Sequence, residues 1–367
     1  MVLAVTRAHD EAYMDEALAL AELGRGRTSP NPMVGAVLVS SGGIVVGRGY
    51  HVSAAEAHAE IKALSEAGEA THGATLYCTL EPCCHQGRTG PCVTRILAAG
   101  VTRVVVGAID PNPRVQGKGV AYLRAHGVQV EVGVRERAAD RLNEVFSTWV
   151  LRRRPFVTMK VAMSFDGCIA AATGQRTYLT SAAANRLVHE FRSQVDAIGV
   201  GSATVLADDP KLTARGIARA RPLTRVIFDR RLRVPPTSQV FRTLNEGPVI
   251  VLTSEQGMES RTIEAERLRA AGAHLEVLSN GGLDEALRRV AEREITALLL
   301  EGGGTIHRAA WAARLVDQVH MFITPTRLGS EGVPWLGSQF SVTSLRDVSI
   351  SACGPDTLIK GHVQRVD

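Results

Sequence analysis

Aromatic residues are scarce, at 4% of 367 positions. Surfaces that bind single-stranded nucleic acid stack bases on such rings, so the scarcity weighs against a partner of that kind. No uninterrupted apolar run reaches the ~18 residues of a membrane-spanning helix. Met1 to Asp10 lacks the apolar core and small-residue cleavage site of a signal peptide. A soluble, cytoplasmic protein with no membrane partner is therefore expected. Internal repeats and low-complexity segments are absent too. Of only six cysteines, three (Cys83, Cys84, Cys92) fall within ten residues. That is not the spread of a secreted disulfide framework and reads better as a metal site.

Hydrophobic residues make up 45% of the chain, and mean hydropathy is +0.03. A chain of this length and apolar content fills two cores rather than one. The net charge of +5 suits a nucleic-acid binder, and equally an enzyme whose substrate and cofactor carry phosphates. Charge alone does not choose between them.

Apolar periodicity predicts a first helix over Asp10 to Leu23 and a hairpin of Val34 to Val39 with Ile44 to Gly47. Helices near His58 to Ala67, Val93 to Ala99 and Val120 to Ala125 then alternate with strands Ala74 to Thr79, Arg103 to Ala108 and Val128 to Val132. Such alternation predicts a sheet covered by helices. One further helix, Arg137 to Val150, runs into Arg152-Arg153-Arg154-Pro155, read as a solvated helix end and a domain boundary. The domains expected are residues 1–150 and 155–367. In the second, strands at Phe156 to Ala162, Ala197 to Gly201, Thr224 to Phe228, Val249 to Leu252, Ala297 to Leu300 and Gln318 to Ile323 are interleaved with helices at Ala182 to Val195, Leu283 to Arg293 and Thr305 to Ala313. This is a second α/β domain, in which Gly216 to Arg221 reads as an exposed basic loop.

The sharpest motif is His58-Ala59-Glu60 followed by Pro82-Cys83 and Cys92, the His-x-Glu and Pro-Cys…Cys layout of zinc deaminases. His58, Cys83 and Cys92 would hold Zn²⁺ and leave the fourth tetrahedral position to water, as a catalytic site requires. Glu60 is assigned the proton shuttle between that water and the pyrimidine. Eight residues separate Cys83 from Cys92, where the short motif has two, so the insert must loop out. Cys84 and His85 lie in it as competing ligands. A fourth protein ligand there would make the metal structural and the chain a binding module.

In the second half, Gly199-Val200-Gly201-Ser202-Ala203-Thr204 follows a β-rich run without the third glycine of a dinucleotide fingerprint, and alone it is equally a tight turn after a strand. Gly302-Gly303-Gly304 precedes a helix starting near Thr305, and the amides of a helix N-terminus can hold a pyrophosphate. Asp208 and Glu301 are the acids worth testing.

The segment Thr79-Leu80-Glu81-Pro82-Cys83-Cys84-His85-Gln86-Gly87-Arg88-Thr89-Gly90-Pro91-Cys92 closely resembles the zinc segment of the bifunctional riboflavin-biosynthesis deaminase/reductases. Asn31-Pro32-Met33-Val34-Gly35, Gly49-Tyr50-His51 and Asp110-Pro111-Asn112-Pro113 resemble landmarks of the same family in order, as do Lys160 to Gly167, Gly201 to Arg215 and Glu301 to Gly304 in the second half. The resemblance implies a cytidine-deaminase-like zinc domain followed by a dihydrofolate-reductase-like α/β domain. It also implies Zn²⁺ and NADPH as cofactors, a phosphorylated pyrimidine as substrate, and a homo-oligomer. Ala162, Tyr178, Thr204, Asp208, Gly303, Gly304 and Thr305 would meet the cofactor. Asn31, His51, Asp110, Asn112, Arg176, Arg192, Leu212, Arg215 and Glu301 would meet substrate, with Arg192 and Arg215 on its phosphate. The chain departs from the family at Ala55-Glu56-Ala57 (usually Gly-Glu-Pro), at Cys84 (often serine) and at Arg176-Thr177-Tyr178 (usually Ser-x-Trp). The competing reading is a zinc deaminase of RNA or nucleosides with an unrelated C-terminal module.

Overall fold

A computed structural model describes residues 7–86 and 90–364. Gly87, Arg88 and Thr89 of the insert, with the first six and last three residues, lie outside them. The chain divides into two compact units, Met1–Arg153 and Arg154–Asp367.

The first unit runs α1 (Arg7–Glu22), β1 (Gly35–Val39), β2 (Val45–Tyr50), α2 (Ala59–Ala67), β3 (Thr75–Leu80), α3 (Cys92–Ala98), β4 (Arg103–Ala108), α4 (Lys118–Ala125), β5 (Gln129–Val132), α5 (Glu136–Leu142) and α6 (Glu144–Arg152). Its sheet has the order β2-β1-β3-β4-β5, antiparallel from β2 to β3 and parallel from β3 to β5. Buried Val104, Val105 and Val106 make β4 a continuous apolar run, as a strand covered on both faces requires. Helix α2 lies directly on β2 because Gly47 and Gly49 have no side chains: a Cβ there would sit 2.1 and 2.2 Å from the carbonyls of Ala63 and Ala59.

The single helix expected over Arg137 to Val150 is two helices. Asn143 leaves the helical region (φ −107°, ψ 17°). Its buried amide accepts from Met33 N at 2.8 Å and donates to Met33 O at 2.9 Å. An asparagine with a backbone partner off the helix competes with helix propagation.

The second unit comprises β6 (Phe156–Ser164), β7 (Cys168–Ala170), α7 (Ala182–Gln194), β8 (Ala197–Gly201), α8 (Ser202–Asp208), β9 (Thr224–Phe228), β10 (Val249–Ser254), α9 (Glu255–Ser260), α10 (Thr262–Ala270), β11 (Ala273–Leu278), α11 (Leu283–Ala291), β12 (Ala297–Leu300), α12 (Gly304–Ala312), β13 (Gln318–Thr324), β14 (Val333–Pro334), β15 (Leu345–Cys353) and β16 (Asp356–Val363). Nine of these strands form one sheet in the order β11-β10-β9-β8-β12-β6-β13-β16-β15, and β14 pairs separately with β7. Strands β11 through β13 in that order are parallel; β16 and β15 close the edge antiparallel. In open parallel sheets ligands bind outside the carboxyl ends of the strands.

Two expectations about charge are corrected. Arg154 is not part of a solvated helix end: its guanidinium is buried and bidentate on Asp317, at 2.6 and 2.8 Å. The basic loop is not simply exposed either, since Arg219 turns in to the carbonyls of Arg192 and Val195 and Arg221 to the Asp196 carboxylate. Cys78, Cys168 and Cys353 are buried, as expected. No helix among the described residues is long and apolar enough to cross a membrane.

Candidate active sites

In the first unit the loop after β3 and the starts of α2 and α3 converge. His58 caps α2 from extended backbone, and Cys92 opens α3 after Pro91. His58 Nδ1 lies 3.2 Å from Cys92 Sγ and 3.5 Å from Cys83 Sγ, and Cys92 N donates to Cys83 Sγ at 3.4 Å. Among the described residues these three ligand atoms form the metal-capable cluster, all within 4.8 Å of one another; Cys84 and His85 do not join it. Hydrogen bonding from Cys92 and His58 holds the Cys83 thiol down at about 4, whereas sharing the pocket with Cys83, and burial, push Cys92 up. Two thiolates so close require a cation between them. One imidazole and two thiols suit zinc and leave a ligand position open.

Glu60 sits in the first turn of α2, buried, and burial raises its carboxyl above the usual range. His51 is buried with its ring perpendicular to His58 at 5.4 Å between centroids. Burial, then the nearby His58, lowers it to about 4, so it is neutral at pH 7. Its Nε2 lies 3.1 Å from Asn31 Nδ2. Asp110, at the end of β4, is raised to about 6 by burial and feels the charge of Cys83. Its carboxylate accepts from Asn112 N at 2.8 Å. Glu81 holds this loop by accepting from the backbone amides of Asp110, Gly117 and Val120.

In the second unit a cavity of about 560 Å³ is lined by Ala162, Arg176, Tyr178, Arg192, Asp208, Leu212 and Arg215. Leu212 (φ 55°) and Asp209 (φ 42°) hold left-handed backbone at its edge, a strain that recurs at functional sites. Glu301, one residue past β12, grips Arg192 by two 2.7 Å contacts, and the third arm of that guanidinium donates to Thr213 O. Burial pushes the Glu301 carboxyl up, but Arg192 and then Lys160 outweigh it and keep it ionised. Arg176 stacks over the Tyr178 ring at 4.6 Å and donates to Asp208 O. Burial raises Asp208.

Gly201-Ser202-Ala203 is not a tight turn but the passage from β8 into α8. Helix α8 runs from this cavity, at Asp208, to a second of about 510 Å³ at Ser202 and Ala203. Thr305 and the start of α11 line the second cavity. Thr204 packs against Gly302 and Gly303, where a Cβ would come 3.1 Å from its hydroxyl, so the glycines keep the N-terminus of α12 open. Gly304 lies against Ile169 of the first cavity. The predicted cofactor residues therefore span both cavities.

Sequence reasoning missed three groups. Arg230, Arg231 and Arg233 follow β9 and line the second cavity, with Arg233 donating to Ser202 Oγ at 2.8 Å; three cations in four residues after a β-run was the available signal. Lys160 on β6 lines the first cavity, and burial lowers its amine. His189 on α7 lines it too.

The family model described as "Cytidine and deoxycytidylate deaminase zinc-binding region" matches residues 7–108, and "RibD C-terminal domain" matches residues 155–359. "Riboflavin biosynthesis protein RibD" of Aquifex aeolicus (strain VF5) is 42% identical over 320 residues, covering 87% of this chain and 88% of that one. The chain belongs to the RibD family. Among solved structures, Acinetobacter baumannii RibD (form 1) superposes with a TM-score of 0.87 at 33% identity over 98% of this chain and 100% of that one. A Thermotoga maritima diaminohydroxyphosphoribosylaminopyrimidine deaminase/5-amino-6-(5-phosphoribosylamino)uracil reductase does so at 0.85 and 34% identity, over 97% and 99%. The chain is thus a zinc-dependent deaminase joined to a reductase of riboflavin biosynthesis. A nucleoside or RNA deaminase with an unrelated second module is set aside, because the second unit is itself the family's reductase domain.

Proposed function

We propose that the chain deaminates 2,5-diamino-6-(5-phosphoribosylamino)pyrimidin-4-one to 5-amino-6-(5-phosphoribosylamino)uracil, then reduces the ribosyl group to ribityl with NADPH. The observation that carries this reading is the pairing, on one chain, of a His58–Cys83–Cys92 cluster beside buried Glu60 with a cation-lined reductase cavity. Zinc, when bound, lowers the pKa of water from ~15.7 towards ~7. Glu60 takes one proton of the water and passes it to the ring nitrogen as the C–O bond forms, then takes the proton of the added hydroxyl and passes it to the amino group as the C–N bond breaks and ammonia leaves. Its burial favours the protonated form between those transfers. Asn31 and His51 hold the pyrimidine, with Asp110 and Asn112 on the loop anchored by Glu81.

NADPH supplies the hydride when bound. Gly303, Gly304 and Thr305 offer backbone amides to its pyrophosphate, with Thr204 packed beneath, and Arg230, Arg231 and Arg233 are the cations for its 2′-phosphate. Ala162, Tyr178 and Asp208 then face the hydride-bearing end. In the net reduction the C1′–O4′ bond breaks, C1′ gains the hydride and O4′ gains a proton. We assign that proton to Lys160, whose amine is lowered by burial and feels the charge of Glu301. Arg176 and Arg215 meet the phosphorylated sugar, and Leu212 bounds it. Within this reading the protein is a cytoplasmic homo-oligomer acting on a small phosphorylated pyrimidine, without nucleic acid or membrane.

Glu60→Gln tests the first half. Ammonia release from the diaminopyrimidine should fall by at least ~10²-fold with zinc content unchanged; undiminished release removes Glu60 from the mechanism.

A further inference from the structure

The cations of the first reductase cavity are not equally free. Arg192 is committed to Glu301 and Thr213, and Arg176 to Tyr178 and Asp208. Arg215 is exposed, and a long exposed cation samples many rotamers unless something holds it. His189, half-buried on α7, supplies that hold: Nε2 lies 3.3 Å from Arg215 Nε and 3.2 Å from its Nη2. A guanidinium only donates, so Nε2 is its acceptor and the ring proton is left to Nδ1, although Nδ1 also lies 3.2 Å from the Arg215 main-chain N. The Nε–Nη2 edge of the fork is then occupied by the imidazole. The Nη1–Nη2 edge remains for a bidentate oxyanion.

We propose that His189 is a positioning residue of the reductase, whose neutral imidazole orients Arg215 to receive the substrate phosphate. The proposal rests on the reductase reading above. Protonation at Nε2 would remove the acceptor and set a cation against the guanidinium. The charged groups facing His189 are Arg192 on its own helix, Arg215 on the loop after Leu212, and Glu301 after β12. Burial, then the two arginines, lowers its proton affinity, with Glu301 opposing. The neutral form therefore prevails at pH 7, and the hold on Arg215 is lost as pH falls through a value below the ordinary histidine range.

The test uses the full zinc-loaded chain. Steady-state NADPH oxidation is measured with 5-amino-6-(5-phosphoribosylamino)uracil from pH 5 to 8.5 for wild type, His189→Ala and His189→Gln. In His189→Ala the KM for this substrate should rise roughly tenfold, the worth of one oriented charge-assisted contact, with kcat unchanged. His189→Gln, whose amide oxygen can accept from the guanidinium and does not titrate, should restore KM and flatten its rise at low pH. The phosphate's own ionisation near ~6 contributes the same limb to every variant, so the difference between profiles reads His189. A KM unmoved in His189→Ala, a fall in kcat instead, or a wild-type low-pH limb kept by His189→Gln overturns the proposal. Calorimetric binding of ribose 5-phosphate separates the two readings: weaker binding in His189→Ala and in Arg215→Ala, with no further loss in the double variant, is expected. Equal binding by wild type and His189→Ala refutes the positioning role even where turnover is absent. No oxidation by wild type at any pH refutes the reductase reading itself.

Discussion

Asp317→Asn is the sharpest probe of how the second unit is held at its start. The Asp317 carboxylate receives both arms of Arg154, at 2.6 and 2.8 Å, and also the Val157 amide at 2.8 Å. Both side chains are under a tenth exposed, at 5% and 8%. Asparagine keeps the shape but removes the charge and turns an amide donor towards a guanidinium that can only donate. Arg154 is then a buried cation without a counter-ion, a loss of about 3–5 kcal/mol. In a unit of this size each 1 kcal/mol moves Tm by about 2–4 °C, so a fall of roughly 6–20 °C is expected. Hydrogen exchange of β6 and β13 peptides reads the same loss locally, without assuming that the two units melt together. Arg154→Leu combined with Asp317→Leu should recover most of it, because replacing a buried pair by apolar groups is often close to neutral. A cost below about 1 kcal/mol, or a double variant no better than Asp317→Asn, would refute the reasoning.

Joint replacement of Arg230 and Arg231 by alanine should raise the KM for NADPH by about 10–100-fold, the worth of one or two charge-assisted contacts, and leave that for NADH unchanged; equal effects on both would place the 2′-phosphate elsewhere. Removing zinc with a chelator should abolish ammonia release but spare NADPH oxidation when the aminouracil is supplied directly, and loss of both would show that metal also supports the reductase. Cys92→Ser should lower bound zinc measured by elemental analysis, whereas Cys84→Ser should not.

The zinc site was legible because its ligands come from short segments at two helix starts and in the loop after β3, so His58-Ala59-Glu60, Cys83 and Cys92 carry their chemistry in local spacing. The reductase site was not equally legible. Its cavity draws on β6, β7, α7, α8 and the loops after β7 and α8, and Lys160 and His189 have no local pattern that marks them as cavity groups. Charge runs misled for the same reason: Arg154 reads as solvated beside two other arginines, yet its partner lies 163 residues away. Apolar periodicity runs through Asn143 unbroken, and only its pairing with Met33 ends the helix there. Strand β15 escaped notice because seven consecutive residues of it face solvent, so no buried face imposes an alternation.

The most direct test supplies the diaminopyrimidine ribosylamino phosphate to the zinc-loaded protein and to its Glu60→Gln variant, and follows NADPH at its absorbance band. The account predicts oxidation by wild type, and oxidation by the variant only when the deaminated aminouracil is given instead. No oxidation by wild type, or equal rates in both on the undeaminated substrate, would contradict it.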